Sequence, residues 1–523
     1  MHISRRVGTL ALASLLITGL VLSGALVYLH TVTRSEVSIQ GGHLLDAVPG
    51  HITCRADAPT LNLTFTVPLN ALLTTQLLTI HNVASDRILL TTFPVGTRLI
   101  QSTATTLYLM LPPLPSGVHE VSLQTQTVRE NGITVAVFGD SQGFDEALAT
   151  IVADVNQREV DFALHLGDIT PSGHLSQYAS AASALNDLTV PMYATPGNHD
   201  VKGNGTLHYT QFFGNRNLVF TYGGVYFIGI DTSSLGFNTT IHEWLEGHLH
   251  QAGTHPIVVY THVPPIDPRP GYDHGFLDEE QADAFLALMD QYNVTLVMNG
   301  HVHLYNATNH DEVLYLTSGG AGAALVTEPE YGGFHHYVLV TISHQEVILQ
   351  PQPIEVPPIP ITVALRNAAN FTMTLGLHDL ESLASIQRLG QFENIYGNLR
   401  GYGLYRGVHI SELMNLIGGM TPNQTLTVEA YDGYQQTFGY ANVYPNASWY
   451  QMQGDFILAF QYNTTSPPEW TDGPRLAFLP LDGTYSNLDC EATSYPGQGY
   501  HLYPSSGARW VRTVICLQLF NTP

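Results

Sequence analysis

The sequence predicts a multidomain protein with an N-terminal β-sandwich, a central α/β domain of layered sheets and helices, and a C-terminal mixed α+β domain. At 523 residues the chain is too long for one hydrophobic core and suggests about three domains of roughly 150 residues each. Short alternating apolar runs give way near residue 131 to strand-like runs interleaved with helical stretches. A proline-rich stretch then follows. We therefore expect domains at 35–130, 131–348 and 362–523, with a linker at 349–361.

Residues 1–34 indicate an export segment. Val7 to Leu29 carries no charge, is long enough to span a bilayer, and follows Arg5 and Arg6. Because such arginines stay on the cytoplasmic side, we expect the rest of the chain on the extracellular face. Two readings stay open: a retained signal anchor, which is one helix in the cytoplasmic membrane, and a cleaved signal peptide that leaves a secreted protein.

Nine Asn-x-Ser/Thr sequons are compatible with an exported glycoprotein, although a chain rich in Asn and Thr acquires several by chance. They lie at Asn62, Asn204, Asn238, Asn293, Asn306, Asn370, Asn423, Asn446 and Asn463.

The first two domains differ in the period of their apolar residues. Leu61 to Val67, Ile88 to Thr92 and Thr106 to Leu111 are short β-like runs separated by Pro, Asn and Gly, which favours a small sandwich. Phe144 to Asn156 and Asp278 to Tyr292 are amphipathic helical stretches between apolar β runs. That alternation is typical of a layered α/β domain.

The segment QPQPIEVPPIP follows the second domain, and its many prolines forbid a helix or an interior strand. The C-terminal region is rich in Tyr, Gly and Asn, with β runs and a helical stretch near Ser411 to Ile417. Cys490 and Cys516 lie in this one domain and could pair in an oxidising compartment, which would leave Cys54 alone.

The charge of the chain excludes one class of partner. Acidic residues number 43 against 18 basic ones, the formal net charge is −25, and Lys202 is the only lysine. No nucleic-acid-binding patch can be built from this inventory. The same field repels phosphorylated substrates at long range, so phosphate chemistry would depend on local positive charge such as metal ions.

Five β-like runs of the central domain each end in a loop with potential metal ligands. Ligands at the carboxyl ends of neighbouring strands converge on one crevice. The candidates are Asp140 and Gln142 after TVAVF, Asp168 after DFALH, Asn198 with His199 after VPMYA, His262 after PIVVY, and His301 with His303 after VTLVM. Each fragment alone is more often a turn or a satisfied histidine, but all five in this order point to a metal site.

This ordered set resembles the metallophosphoesterase superfamily, the calcineurin-like phosphoesterases, over residues 134–322. The resemblance implies an αββα-type layered sandwich for the central domain. It also implies a binuclear site in which Asp140, Gln142, Asp168 and His303 hold one metal and Asp168, Asn198, His262 and His301 hold the other. Asp168 would bridge the two ions.

A bridging carboxylate offsets the repulsion of two cations, and imidazoles and an amide complete each shell, so Mn, Fe, Zn or Co ions are expected. The expected reaction is hydrolysis of a phosphate mono- or diester through a metal-bridging hydroxide. His199 would protonate the leaving group or hold a phosphoryl oxygen; the alternative is an outer structural histidine.

Two positions depart from the family pattern. Gln142 stands where the family usually has His, and a neutral amide is the weaker ligand. Pro171 stands where many members have an acidic residue that orients the catalytic His, which leaves Asp200 as a candidate orienter of His199.

Substrate contacts are expected from the loops beyond the ligands, Lys202 to Asn217 and Pro264 to Phe276, which offer Arg269 and His274 as candidates. Solvated loop side chains are the commoner case for such residues. We expect the substrate to be a phosphorylated small molecule or a phosphorylated component of the cell envelope.

Residues 362–523 resemble, more weakly, the molybdopterin-binding domain of the sulfite oxidase family, through YRGVHISELMNLIGG, VEAYDGYQQTF, EWTDGPRLAFLP and RWVRTVICLQL. That family's site needs an early cysteine, and none lies between Thr362 and Asp489, so no molybdopterin is expected. Three functions stay open: an extracytoplasmic metallophosphoesterase, a cell-surface binding protein with a decayed site, and a molybdopterin redox protein.

Overall fold

The computed structural model of the chain describes residues 37–48, 50–67, 75–127, 132–343, 346–356, 362–431, 433–467, 470 and 472–521. The predicted export segment at 1–34 lies outside these residues. Within them, no helix has the length and apolar character needed to cross a bilayer. By their internal contacts, residues fall into two compact units, 1–356 and 357–523.

The first unit begins with two β-sheets that share one hydrophobic core. Their strands run β1–β4–β9–β6 in one sheet and β2–β3–β5–β8–β7 in the other, with bounds β1 Val37–Gln40, β2 Gly42–Val48, β3 His51–Ala56, β4 Thr60–Val67, β5 Gln76–His81, β6 Ile88–Thr92, β7 Arg98–Ser102, β8 Thr106–Leu111 and β9 Gly117–Thr125.

Alternation of buried and less buried side chains along the strands produces this core. Along β4 every second side chain is buried, and Leu61, Leu63 and Phe65 all face the opposite sheet's apolar residues. The predicted runs at 61–67, 88–92 and 106–111 coincide with β4, β6 and β8 and are confirmed.

The rest of the first unit alternates strands and helices. Their bounds are β10 Ile133–Phe138, α1 Asp145–Val155, β11 Phe162–His165, α2 Leu175–Leu185, β12 Met192–Ala194, α3 Gly205–Phe213, β13 Leu218–Tyr222, β14 Val225–Gly229, α4 Thr239–Ala252, β15 Ile257–Tyr260, α5 Glu279–Gln291, β16 Leu296–Asn299, β17 Tyr305–His310, β18 Val313–Ser318, β19 His336–Ile342 and β20 Val347–Pro353.

These elements stack in four layers. One sheet runs β12–β11–β10–β19–β20 and the other β13–β14–β15–β16–β18–β17. A core lies between the two sheets, a second packs α1, α2 and α3 on the first sheet, and a third packs α4 and α5 on the second. The helices predicted at 144–156 and 278–292 are α1 and α5. Strands β10, β11 and β12 are parallel, as are β14, β15 and β16, so each trio ends at one edge.

Ionic and amide contacts join the N-terminal sheets to the layered domain. The guanidinium of Arg87 donates to the Oδ1 and the backbone O of Asp161, both at 3.0 Å, and to the hydroxyl of Tyr222. The side-chain amide of Asn82 donates to the backbone O of Met192 at 2.9 Å, and its Oδ1 accepts from the N–H of Met192 at 2.8 Å. These groups are mostly buried, so the two parts pack as one unit.

The proline-rich stretch differs from the prediction. Val347–Pro353 is a strand, β20, paired antiparallel with β19 at the end of its sheet. Prolines are tolerated there because an edge strand can turn its donor-free positions away from its neighbour. The linker predicted to begin at residue 349 is therefore wrong for residues 349–353.

The second unit contains two five-stranded sheets around one core. The sheets run β22–β21–β30–β25–β26 and β28–β27–β24–β23–β29, with bounds β21 Thr362–Arg366, β22 Thr372–Gly376, α6 Leu377–Ser382, β23 Ser385–Glu393, β24 Leu399–His409, α7 Ile410–Leu416, β25 Gln424–Ala430, β26 Gln435–Phe438, α8 Tyr440–Val443, α9 Ala447–Gln453, β27 Asp455–Tyr462, β28 Arg475–Leu479, β29 Thr484–Tyr485, α10 Asn487–Ala492 and β30 Val514–Asn521.

The expected pairing of two cysteines in this unit is wrong. Cys490 lies in α10 and Cys516 in β30, and both are free and buried, as is Cys54. The Sγ of Cys490 faces the carbonyl O of Ser505 at 3.9 Å. Burial raises the pKa of both thiols, which keeps them protonated as small apolar side chains.

One partly buried ion pair of this unit lies at the start of β27. Asp455 accepts from the Nε2 of His409 at 3.1 Å and pairs with Arg388 at 2.6 Å. Burial alone would raise the pKa of Asp455, but the hydrogen bond from His409 and the charge of Arg388 lower it.

Candidate metal centre

The predicted ligands lie where strands of both layered-domain sheets end. Asp140 follows β10 and Asp168 follows β11, while His262 and His301 follow β15 and β16 of the other sheet. All four residues are buried.

Four site residues hold a left-handed backbone, with φ of 64° at Asp140, 43° at Gln142, 53° at Asp168 and 66° at His301. Non-glycine residues seldom adopt this conformation, and each instance costs about 1–3 kcal/mol. Such a concentration of strain at strand ends is typical of a functional site, where surrounding contacts hold the backbone in place.

Glycines leave room for the two carboxylates. A Cβ on Gly197 would lie 2.1 Å from the Oδ1 of Asp168, and one on Gly300 would lie 2.4 Å from the Oδ2 of Asp140. Any side chain at either glycine would displace a carboxylate.

Asp168, His262 and His301 form the centre of the site. One ligand atom from each lies within 4.8 Å of the others. The Nδ1 of His262 donates to the backbone O of Leu166 at 2.8 Å, which directs its Nε2 into the site, 3.4 Å from the Oδ1 of Asp168. The Oδ1 of Asn198 lies 3.1 Å from the same Nε2, and the Nδ1 of His301 lies 3.2 Å from it.

Asp140, Gln142 and His303 form the adjoining half. The Nδ1 of His303 donates to the backbone O of Ala324 at 2.7 Å, so its Nε2 points inward, 3.4 Å from the Oδ1 of Asp140. The Nε2 of Gln142 lies 3.3 Å from that ring nitrogen and donates to the Oδ2 of Asp168 at 2.9 Å. Asp168 therefore contacts both halves, as the bridging assignment requires, and all seven predicted ligands come together.

The donor set fits metal ions. The Oδ1 of Asp140 and the Nε2 of His301 are buried without a hydrogen-bond partner. Because the Nδ1–H of His262 donates to the backbone O of Leu166, the Nε2 of His262 carries a lone pair. That lone pair faces the Oδ1 of Asn198 at 3.1 Å, and two acceptor atoms at this distance need a positive charge between them. Carboxylate, imidazole and amide donors suit Mn, Fe, Co and Zn.

The pKa values of Asp168, His262 and His301 are shifted by burial and by the charges of neighbouring site residues. Burial alone would raise the pKa of Asp168, but His262 and His199 hold it well below its usual range. Burial alone would lower the pKa of His262, and Asp168 instead raises it to about 9. Burial, followed by the charge of His262, lowers the pKa of His301 to about 2, which keeps that imidazole neutral. The site thus holds a positive charge tightly, which a metal can supply in place of a proton.

His199 is oriented by a backbone carbonyl. The ring Nδ1 of His199 lies 2.7 Å from the backbone O of Pro171 and 3.0 Å from the Nζ of Lys202. The backbone N–H of His199 donates to the Oδ1 of Asp168 at 2.8 Å. Asp200 does not contact the ring, so its proposed orienting role is wrong. The carboxylate of Asp200 instead accepts hydrogen bonds from the backbone N–H groups of Gly197, Ile169 and Thr170, at 2.8–3.1 Å. It therefore holds together the loop that carries Asn198 and the loop that carries Asp168.

The two predicted substrate residues lie on the loop before α5. The ring of His274 is exposed and lies 4.3 Å from the ring of His301. Arg269 pairs twice with Asp267, at 3.0 and 2.8 Å, and its guanidinium lies 4.4 Å over the ring of Tyr272. Their contact with substrate stays a prediction.

Sequence reasoning missed a supporting layer. His165, at the end of β11, accepts from the N–H of Gly167 and contacts the hydroxyl of Ser141, while Thr232 accepts from the N–H groups of His262 and Val263. Burial lowers the pKa of His165 to about 3, so it is neutral. His165 stands in an otherwise apolar strand, and this feature of the sequence could have marked it. No local feature of the sequence marks Thr232.

Comparison with known proteins finds similarity in the middle of the chain. Residues 133–305 match the family model of the calcineurin-like phosphoesterases. A 3′,5′-cyclic-nucleotide phosphodiesterase of a Nostoc species is 28% identical over 167 residues, which are 31% of this chain and 62% of that protein. The match thus spans about three fifths of that relative's length.

Solved structures show more distant likenesses. A purple acid phosphatase from yellow lupin seeds is 15% identical, covers 60% of this chain and 72% of its own, and has a TM-score of 0.40. A dimetal phosphatase from Danio rerio is 13% identical, covers 47% of this chain and 99% of its own, and has a TM-score of 0.36. None of these matches supports the molybdopterin-domain resemblance of residues 362–523, which stays a prediction.

Proposed function

We propose, from the premise that residues 133–305 belong to the calcineurin-like phosphoesterase family, that this chain is a metal-dependent hydrolase of phosphate esters. The observation that carries the proposal is the convergence of Asp168, His262 and His301 beside the unpartnered Oδ1 of Asp140. Seven ligands with this geometry fit two ions, and a structural role would not need the acceptor atoms to face one another.

The residues divide the work as follows. Asp140, Gln142, Asp168 and His303 would hold one ion, and Asp168, Asn198, His262 and His301 the other. When bound, two such ions neutralise charge on phosphoryl oxygens and lower the pKa of a water that attacks phosphorus.

His199 would hold the proton for the leaving oxygen. The O of Pro171 and the Nζ of Lys202 both contact its Nδ1, which leaves Nε2 to face substrate. Lys202 also places a positive charge beside the site of a chain whose net charge is −25, so it would favour a phosphate locally.

We infer that diesters are the better substrates to try first, because the Nostoc relative is named a cyclic-nucleotide phosphodiesterase. Monoesters remain the alternative. The first experiment measures metal content of the purified protein by elemental analysis, together with hydrolysis of bis-p-nitrophenyl phosphate and p-nitrophenyl phosphate, with and without manganese.

A matched pair of variants makes this test specific. His262→Ala removes a ligand, while His255→Ala removes an exposed histidine of the turn before β15, whose Nδ1 donates to the backbone O of Gly224 at 2.8 Å. We expect about two metals per chain and manganese-stimulated turnover in the wild type and in His255→Ala, and loss of both in His262→Ala. A wild type without metal or turnover would instead favour the surface binding protein with a decayed site.

We also propose that the enzyme works on the extracellular face, on the strength of the uncharged run from Val7 to Leu29 behind two arginines. Protease treatment of intact cells tests this location: digestion of the full chain supports it, and protection until lysis contradicts it.

A further inference from the structure

A cavity of about 590 Å³ lies in the first unit, between the N-terminal sheets and the layered domain. One wall comes mainly from strands β3, β5 and β8, and the other comes from α2, α3 and the start of β12. None of the predicted metal ligands is among the described residues that line it. Its volume is in the range of cavities that hold small organic molecules. The cavity is therefore a candidate binding site separate from the metal centre.

The wall from the N-terminal sheets is polar, because a row of polar side chains crosses one sheet there. His43 on β2 pairs in register with Arg55 on β3, and Arg55 pairs with His81 on β5. His81 pairs in turn with Thr106 on β8, and its Nδ1 lies 3.1 Å from the Oγ1 of Thr106. Side chains at directly opposed positions share one face of a sheet. Arg55, His81 and Thr106 all line the cavity.

Arg55 supplies the positive charge of this wall. Its Nη1 donates to the Oδ1 of Asp57 at 3.3 Å, and its Nη2 donates to the backbone O of Met192 at 3.0 Å. The carboxylate of Asp57 is shared, because its two oxygens also lie 2.9 and 3.0 Å from the Nδ1 of His43. Burial, followed by the charge of Arg55, lowers the pKa of His81, so that ring is neutral.

The lining as a whole carries a net positive charge. Neither Asp57 nor any other acidic residue is among the described residues that line the cavity. Arg55 is the one charged side chain among them, although acidic residues outnumber basic ones 43 to 18 in the chain. Arg55 also keeps N–H donors beyond its two hydrogen bonds. An anionic group is therefore the ligand head that this wall suits.

The wall from the layered domain is apolar. Its side chains come from α2 and the residues after it, and from the end of α3: Ala182, Leu185, Leu188, Val190, Phe212 and Phe213. The ring of Phe212 stacks on that of Tyr178, with centroids 5.8 Å apart, which fixes its position. Hydrogen bonds from Arg55 and Asn82 to the backbone of Met192 hold the two walls together. The cavity is thus preformed, with a charged wall facing an apolar one.

We propose that this cavity binds a small monocarboxylate with an apolar body. The carboxylate accepts hydrogen bonds from Arg55, and the body lies along Leu185 and Phe212. Hydrogen bonds between a guanidinium and a carboxylate are stronger than neutral ones, and the two groups match in shape. A guanidinium that already contacts one carboxylate balances at most one further negative charge, which favours a monoanion over a phosphate dianion. The apolar wall adds binding by removing the body from water.

Three small probes test both parts of this proposal in the wild-type protein. Ligand-observed NMR titrations of the full chain compare hexanoate with hexanamide, a neutral molecule of the same length, and with acetate, which lacks the apolar body. We expect hexanoate to bind at least about tenfold more tightly than either. Equal binding of hexanoate and hexanamide would refute the anionic head. Equal binding of hexanoate and acetate would refute the apolar body, and either result overturns the proposal.

Variants on the two walls test whether hexanoate binds in this cavity. Arg55→Gln removes the charge but keeps an amide donor, and it should reduce the affinity for hexanoate to that for hexanamide. Ala182→Phe fills the cavity from the apolar wall and should weaken hexanoate by about tenfold or more. The control, Arg158→Gln, removes an exposed arginine that follows α1 and should change nothing.

The second variant keeps the test decisive. Ala182→Phe leaves the contacts of Arg55 in place, so it decides the outcome if loss of Arg55 unfolds the protein; circular dichroism checks the fold of each variant. Hexanoate binding that is unchanged in Ala182→Phe lies elsewhere, for example at the metal centre, and overturns the proposal. Loss of hexanoate binding in Ala182→Phe but not in Arg158→Gln supports it.

Discussion

Replacing Arg87 with alanine removes the guanidinium that joins the N-terminal sheets to Asp161, the residue before β11. Three hydrogen bonds of about 3.0 Å are lost, in a pair whose side chains are 14% and 4% exposed. Asp161 keeps the N–H of Thr134 at 2.9 Å and the hydroxyl of Tyr222 at 3.2 Å. The carboxylate is thus left buried but not fully unpartnered.

The expected cost follows from that partial compensation. Breaking a buried ion pair costs about 3–5 kcal/mol, and the remaining donors place Arg87→Ala at the lower end, about 3 kcal/mol. With an unfolding entropy of about 2.1 cal/mol/K per residue over the 356 residues of the first unit, this loss lowers Tm by about 4 °C.

The assay is thermal unfolding of the full chain, with Arg158→Ala as the control. Arg158 pairs with Asp154 four residues earlier, and both side chains are 37% exposed. Such a pair contributes about 0.3–0.5 kcal/mol, so the control should shift Tm by less than about 1 °C. If Arg87→Ala shifts Tm no more than the control does, the claim that these contacts hold the two parts as one unit is wrong.

Four further changes test the site and the second unit. His199→Ala should lower turnover of alkyl esters by about 10²-fold or more and of aryl esters far less, because a poor leaving group needs the proton; equal losses in steady-state assays would remove the acid role. Asp168→Asn should abolish bound metal and turnover together, and elemental analysis showing full metal would refute the bridge. Gln142→His should retain metal against a chelator for longer, since imidazole is the stronger ligand; unchanged retention would show that the amide does not limit binding. Because the pKa of Asp455 is lowered, its ion pair stabilises the fold above the ordinary carboxyl pKa, and this stabilisation is lost as pH falls through the lowered pKa. In urea unfolding, Asp455→Asn should therefore reduce the loss of unfolding free energy at acid pH. An unchanged loss would show that other groups cause it.

Much of the site was predictable because ligand chemistry and strand ends are both local signals. Asp140, Asp168, His262 and His301 each follow a short apolar run, and strands end there in the structure. What the runs do not show is that they divide between two facing sheets. That division depends on which strands pair, a long-range property absent from any single window.

The errors have physical reasons of the same kind. Asp200 was the nearest carboxylate in sequence to His199, but the ring partner is the backbone O of Pro171, twenty-eight positions away in the chain. A backbone carbonyl leaves no trace in residue type. Cys490 and Cys516 share a domain, yet one lies on a helix and the other on a strand, and co-residence in a domain does not set side-chain direction.

The outer strand β20 has a consequence for how this protein behaves at high concentration. It ends its sheet, and Pro351 and Pro353 occupy its last residues. A foreign strand that docks on a sheet edge needs donors along that edge, and a proline nitrogen carries none. The same prolines that made this segment resemble a linker therefore oppose the pairing of this sheet with strands of other molecules.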